Sequence, residues 1–499
     1  LTKHGTISAI SVVVAAAMAL TLGPAAYSFA PASLDEALST PVDDPYYPAK
    51  GDPNIDVLSY DLDLTWRPRH GLTGVAELEV RSVVDQSSLQ LDLSRELDVS
   101  RVRLDDVSIG HSHTDHILTL TTGPLLADNR HTLVITYKGM PRPVKAPTKR
   151  SDFSTVGWSN RSNGGMWTMQ EPFGAFTYYP VNDHPSDKAY YDVRLDVPGD
   201  MVGVSGGKML SRRHVDGRTI TRFELSDPAA SYLVTVAIGD YKLVRDRGPH
   251  DLRLSYWVPR GNTESLKFLR QSPNLLRWLE DRLGRYPFDR AGAVVVPSLS
   301  AMETQELVTM GASTLQNRKR AIGVLLHEYA HQWYGDTVTP NNWPDLWMNE
   351  GFAMYIQFEY EISRGWYRRL ALKRFLASLD QQLRRQEGPP GEYFKDNFAS
   401  TVVYYSGALM LYRLRAKLGD KVFASALRAW PHARENVSTD RVDYIDWLST
   451  RTGRDLAPFI NDWLTARRSP AKLVVGALGD ARLRALEAKI PQPTTHSTS

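Results

Sequence analysis

Val324-Leu325-Leu326-His327-Glu328-Tyr329-Ala330-His331-Gln332-Trp333 has apolar residues at helical spacing and meets no glycine or proline before Gly335. On a helix, side chains four residues apart leave the same face, so the His327 and His331 imidazoles can converge on one ion. Two ligands leave a tetrahedral shell incomplete. Glu350 supplies a third, after a break at Asn341-Asn342-Trp343-Pro344 that lets a second helix fold back against the first. Two imidazoles and a carboxylate, with the fourth position left to water, make a catalytic arrangement for one Zn2+ rather than a closed structural one. Zinc brings the pKa of its water to about 7 and polarises a carbonyl, and Glu328 is placed to take the water's proton and hand it to a departing amine. The competing reading is a chance His-Glu-x-x-His on a surface helix.

Working outward, the chain divides into two patterns. From Asn54 to about Val244 period-two segments dominate, such as Tyr60-Asp61-Leu62-Asp63-Leu64 and Leu89-Gln90-Leu91-Asp92-Leu93, which predicts an antiparallel β domain with solvated outer faces. After Arg245 a strand at 252–258, a helix over 263–283 ended by Gly284 and Pro287, and a buried strand at 293–296 precede a mainly helical region. Helices are expected near 346–361, 407–418, 421–430, 439–450 and 456–466. A chain of 499 residues exceeds one ordinary core. The expectation is a multidomain α+β protein: 1–30 a signal peptide, 31–52 a linker rich in Pro, Asp and Ser, 53–245 an antiparallel, sandwich-like β domain, 246–470 a mainly helical catalytic domain with a small sheet, and 471–499 a partly disordered tail.

Composition narrows the function classes. The formal charge is +3 and no basic run interleaved with aromatics appears, which argues against nucleic acid as a partner. There is no cysteine, so any metal must be held by His, Asp or Glu. Lys3 and His4, the apolar stretch 7–22 and Ala30-Pro31-Ala32 read as a cleavable secretory signal, implying a secreted or extracytoplasmic protein. The stretch is shorter than the roughly 20 apolar residues that span a bilayer, which makes an uncleaved anchor the weaker alternative, and no mature transmembrane segment is expected. His111-Ser112-His113-Thr114-Asp115-His116 matches a dinuclear-metal motif, but strand-like residues continue at Ile117-Leu118-Thr119-Leu120, so a polar turn between strands is expected there.

The stretch His327-Glu328-Tyr329-Ala330-His331-Gln332-Trp333-Tyr334-Gly335-Asp336, followed by Trp343-Pro344-Asp345-Leu346-Trp347-Met348-Asn349-Glu350-Gly351-Phe352-Ala353, resembles the signature of the gluzincin peptidases and, within them, of the M1 aminopeptidases. The resemblance runs from about Asp52 to Pro470 and implies a thermolysin-like zinc peptidase domain with one zinc ion and peptide substrates. A short form without the large C-terminal helical domain of many members, and so with a more open cleft, is expected. Ser300-Ala301-Met302-Glu303-Thr304 is similar to the family's Gly-Ala-Met-Glu-Asn motif, with Ser and Thr in place of Gly and Asn. This implies that Glu303 binds the substrate's α-amine while the backbone of Ala301 and Met302 aligns the peptide. In Tyr404-Tyr405-Ser406-Gly407-Ala408 the register implies Tyr404 as oxyanion donor, with Tyr405 a near competitor. In Trp167-Thr168-Met169-Gln170-Glu171-Pro172 either Gln170 or Glu171 is implied to reach the cleft. Taken together these residues predict an aminopeptidase. A zinc endopeptidase on the same site, or a non-catalytic binding protein on this fold, are the alternatives. Oligomeric state and the preferred N-terminal residue are not encoded in any motif of the chain.

Overall fold

The computed structural model describes residues 34–471, so the expected signal peptide at 1–30 and almost all of the tail from 471 lie outside the described residues. Among the described residues no helix is long and apolar enough to cross a membrane.

The period-two segments become strands because alternate side chains find a core. In Ile55–Arg67 the residues Tyr60, Leu62, Leu64 and Trp66 are buried while those between them are half-buried. This strand lies inside an eight-stranded sheet, which runs in spatial order through 208–215, 218–230, 188–198, 55–67, 71–82, 130–139, 97–104 and 107–108. Five-stranded and three-stranded sheets complete the β-rich domain. One pair departs from the antiparallel expectation: Ile55–Arg67 runs parallel to Lys188–Pro198. The chain between them makes a long excursion through the other strands and re-enters in the same direction, a connection that a hairpin cannot provide.

A four-stranded mixed sheet opens the second domain, with strands Tyr241–Arg247, Arg253–Pro259, Arg290–Val296 and Val308–Gly311 in that order. The division expected at 245/246 therefore falls inside its first strand. Helices α1 (Thr263–Leu269), α2 (Ser272–Leu283), α3 (Arg318–His331), α4 (Trp347–Ser363), α5 (Arg369–Glu387), α6 (Thr401–Leu418), α7 (Asp420–Ala433), α8 (Arg441–Thr452) and α9 (Ala457–Thr465) build the rest. The single helix expected over 263–283 is two, because Pro273 has no N–H to give and is tolerated only in the first turn of a new helix. Helix α5, absent from the sequence expectation, is amphipathic and buries Leu372, Phe375, Leu376 and Leu383.

Over its described residues, 34–52, the expected linker packs against both domains. Asp44 is buried and accepts from the Trp343 N–H at 2.6 Å. Tyr46 Oη donates to the Tyr393 carbonyl at 2.6 Å, and the Gly51 N–H donates to Asp92 at 2.8 Å. Its turn-forming composition is loop chemistry, as read. These partners on both domains turn the loop into a strap.

Candidate active site

Helix α3 is set at both ends. Asn317 caps its start by accepting from the N–H groups of Lys319 and Arg320. At its end His331 Nδ1 lies 3.0 Å from the Tyr334 carbonyl. A carbonyl only accepts, so Nδ1 carries the proton and Nε2 is left as the ligand atom facing the cleft. The turn that brings this carbonyl back passes through Gly335 at φ 144°, where an added Cβ would sit 3.2 Å from His331 Nδ1. Gln332, next to the ligand, reaches the opposite wall: its amide donates to the Glu303 carbonyl at 2.9 Å, and its oxygen accepts from the Glu306 N–H at 2.9 Å.

Glu350 arrives on α4. Its Oε2 lies 2.9 Å from His327 Nε2 and 3.3 Å from His331 Nε2. Bonds of about 2.0–2.1 Å to one tetrahedral ion would hold its ligand atoms roughly 3.3 Å apart. The three donors fit one divalent cation without rearrangement of the helices. Tyr404 on α6 donates to the other oxygen, Glu350 Oε1, at 2.5 Å. The two helices come this close because they cross glycine on glycine: a Cβ on Gly407 would lie 2.9 Å from the Gly351 Cα. Gly407→Ala is therefore expected to destabilise the fold by about 1–3 kcal/mol, as overpacked contacts do, and to lower turnover by moving Tyr404 off Glu350. Urea unfolding with parallel activity assays checks this, and an alanine variant matching the wild type in both would contradict it.

The remaining expected residues separate cleanly. Glu303 and Glu328 join His331 in a second cluster whose ligand atoms lie within 4.8 Å of one another. The segment carrying Glu303 is held extended by Met302, which exchanges hydrogen bonds with Thr309 at 2.9 and 2.8 Å. The substituted Thr304 supports that hairpin, its hydroxyl donating to the Leu307 carbonyl at 2.5 Å. Ala301, Met302, Glu303 and Glu171 all line the cleft, which opens to solvent. Gln170 does not. Its amide is turned into the β domain and donates to the carbonyls of Ser231 and Val234. Tyr404 is the tyrosine on the triad, whereas Tyr405 packs near Phe358 with ring centroids 5.9 Å apart.

The expected turn is confined to Asp115 and His116, because His111 to Thr114 belong to the strand Gly110–Thr114, which pairs with Ile117–Leu125. His113 Nε2 donates to the Leu93 carbonyl and His116 Nδ1 accepts from the Arg95 N–H, and no metal-binding cluster includes them among the described residues. Sequence reading missed Arg150 and Asp152, which also line the cleft. They belong to a stretch of chain with several other cations, Arg142, Lys145 and Lys149, and nothing in that run marks one of them as buried.

The cleft is strongly acidic for its burial. Burial raises the carboxyl pKa of Glu171, Glu303 and Glu328, and each is pushed further by neighbouring carboxylates, Glu350 among them. Burial also opposes ionisation of Glu350, but the adjacent His331 and His327 imidazoles outweigh it and hold that carboxyl well below its usual range. One oxygen each of Glu171 and Glu303 is buried with no hydrogen-bond partner. Such a cluster has unmet demand for positive charge, both a cation at the triad and a second one beside it.

This geometry agrees with comparison to known proteins. The description "Peptidase M1 N-terminal domain" matches residues 57–233, and "Peptidase family M1 domain" matches 269–463. The chain belongs to peptidase family M1. Among the similar M1 proteins, Aminopeptidase M1 of Arabidopsis thaliana is 26% identical over 76% of this chain and 45% of its own length. Aminopeptidase N of Rattus norvegicus is 24% identical over 67% of the chain and 38% of its own length. The chain thus spans less than half the length of these relatives. A two-domain M1 zinc metallopeptidase variant bound to L-tryptophan is a structural neighbour, with TM-score 0.76, 26% identity, and coverage of 86% of this chain and 98% of that one. The M1 zinc metallopeptidase of Deinococcus radiodurans is similar at TM-score 0.75 and 26% identity, covering 87% and 99%. The β-rich domain followed by a helical domain with its triad between α3 and α4 is the M1 fold.

Proposed function

We propose that the chain is a zinc aminopeptidase that releases N-terminal residues from peptides. One observation carries the exopeptidase part: the buried, unpartnered oxygens of Glu171 and Glu303 next to the His327, His331 and Glu350 triad. A free α-ammonium group is the peptide feature that satisfies both, and placing it there puts the first peptide bond near the triad. His327, His331 and Glu350 would hold the zinc, which when bound supplies an acidified water and a polarised scissile carbonyl. Glu328, within 4.8 Å of His331 and Glu303, takes the proton of the attacking water and delivers it to the leaving amine. Tyr404 presents its phenol proton to the oxyanion. The free edge of the Ala301-Met302-Glu303 segment aligns the peptide backbone, since Met302 spends its inward hydrogen bonds on Thr309.

Structural neighbours support this reading. One M1 zinc metallopeptidase variant from Deinococcus radiodurans was crystallised with a Tyr-Ser-Ala substrate, and others with single amino acids. We also propose export of the protein, on the apolar and small-residue pattern of 7–32 alone.

Free and N-acetylated forms of the same peptides test the exopeptidase reading. The free forms are expected to be cleaved and the acetylated ones left intact. Glu303→Gln should cost about 10- to 100-fold in kcat/KM on free peptides, the worth of a hydrogen bond to a charged group. Equal cleavage of acetylated peptides would show an endopeptidase instead.

A further inference from the structure

The β-domain loop between Val144–Lys145 and Thr155–Asn160 crosses to the catalytic domain just ahead of α6. The Phe398 N–H donates to the Pro147 carbonyl at 2.7 Å, and the Thr148 hydroxyl donates to the Phe398 carbonyl at 2.8 Å. The Lys149 N–H donates to Asn397 Oδ1 at 3.2 Å. Next in line, the Arg150 guanidinium is gripped in a fork by Asp152, with Nε to Oδ1 at 3.0 Å and Nη2 to Oδ2 at 2.6 Å. Its Nη1 donates to the Ala399 carbonyl at 3.3 Å and to Tyr404 Oη at 3.0 Å. Ser300, the residue that stands where the related motif has glycine, lines the same cleft as this pair. A chain of hydrogen bonds thus runs from Asp152 through Arg150 to Tyr404, and from there to Glu350.

A phenol oxygen both donates and accepts, whereas a guanidinium can only donate. Arg150 therefore occupies a lone pair of Tyr404 Oη, and the phenol proton is left to point away from it, on the side of Glu350 Oε1 at 2.5 Å. A fixed cation behind the phenol also strengthens it as a donor, since it stabilises the density that builds on Oη when the proton is shared with an anion. The planar fork suits this task, because Asp152 fixes two of its N–H groups and so aims the others.

We propose that Arg150, supplied by the β domain, is a positioning residue for Tyr404 that aligns and polarises the phenol for the oxyanion, with Asp152 locking the guanidinium. This role rests on the aminopeptidase reading above. It gives the β domain a part in the chemistry as well as in the wall of the cleft. A guanidinium that only staples the two domains would cost the same whether or not Tyr404 has its hydroxyl.

A double-mutant cycle separates the two roles, using full-length, zinc-loaded protein whose metal content and melting temperature are measured for every variant. Arg150→Gln is expected to lower kcat roughly 10- to 100-fold with KM changed less than about threefold. In a Tyr404→Phe background the same substitution should change kcat by less than about threefold, because the group it acts through is gone. Arg150→Lys, which keeps the cation and loses the fork, should recover part of the loss. Should Arg150→Gln fail to fold, Asp152→Asn frees the guanidinium and should show the same dependence on the Tyr404 hydroxyl. Equal losses in both backgrounds would overturn the role of Arg150 alone. A zinc-loaded wild type that cleaves no aminoacyl substrate would overturn this role together with the function it rests on.

Discussion

Glu328→Gln is expected to reduce kcat/KM by about 10⁴-fold while zinc stays bound, the upper range for a general acid–base group. Glutamine keeps the shape of the side chain and removes its capacity to take and return a proton. Glu328 is not in the metal triad, which consists of His327, His331 and Glu350, so the ion should remain. The variant should fold at least as well as the wild type. The Glu328 carboxyl is 6% exposed, and burial together with Glu303 and Glu350 already penalises its charge, so a neutral amide relieves a cost. Turnover of an aminoacyl amide, metal analysis and a thermal melt read the three parts separately. Residual activity above about 1%, or loss of the zinc, would remove Glu328 from the role of proton carrier.

The second large effect is expected at Tyr404. Tyr404→Phe should lower kcat by about 10²- to 10³-fold with little change in KM, as loss of one oxyanion donor does. Phenylalanine keeps the ring, which stacks 6.0 Å from the His327 ring at 22°, so the change is confined to the hydroxyl. Tyr405→Phe is the matched control and should stay within about threefold of wild type, because Tyr405 packs beside Phe358 rather than on the triad. A larger loss for Tyr405→Phe than for Tyr404→Phe would reverse the assignment.

Much of the site is legible because its chemistry is local. His327 and His331 converge by helical spacing, and the glycines after the ligands carry a packing reason that the structure makes explicit: Gly335 clears His331, and Gly351 meets Gly407. The β domain is legible for the same reason, since a sheet with one buried face imposes period two on every strand, as Ile55–Arg67 shows. Helix breaks are also local. Pro273, a signal present in the sequence, splits the expected helix at 263–283.

What the sequence by itself determined was the grouping of His327, His331 and Glu350, the carboxylate of Glu328 beside it and the order of a β domain before a helical one. Each follows from spacing along one element or from a short motif. Only the tertiary structure decided that Glu171 rather than Gln170 faces the cleft, that Tyr404 rather than Tyr405 sits on Glu350, that residues 34–52 are a strap, and that Arg150 enters the site at all. These depend on which way a side chain points once two distant segments have packed. Arg150 and Tyr404 meet through backbone bonds between 147–149 and 397–398, and no periodicity in either segment records the other.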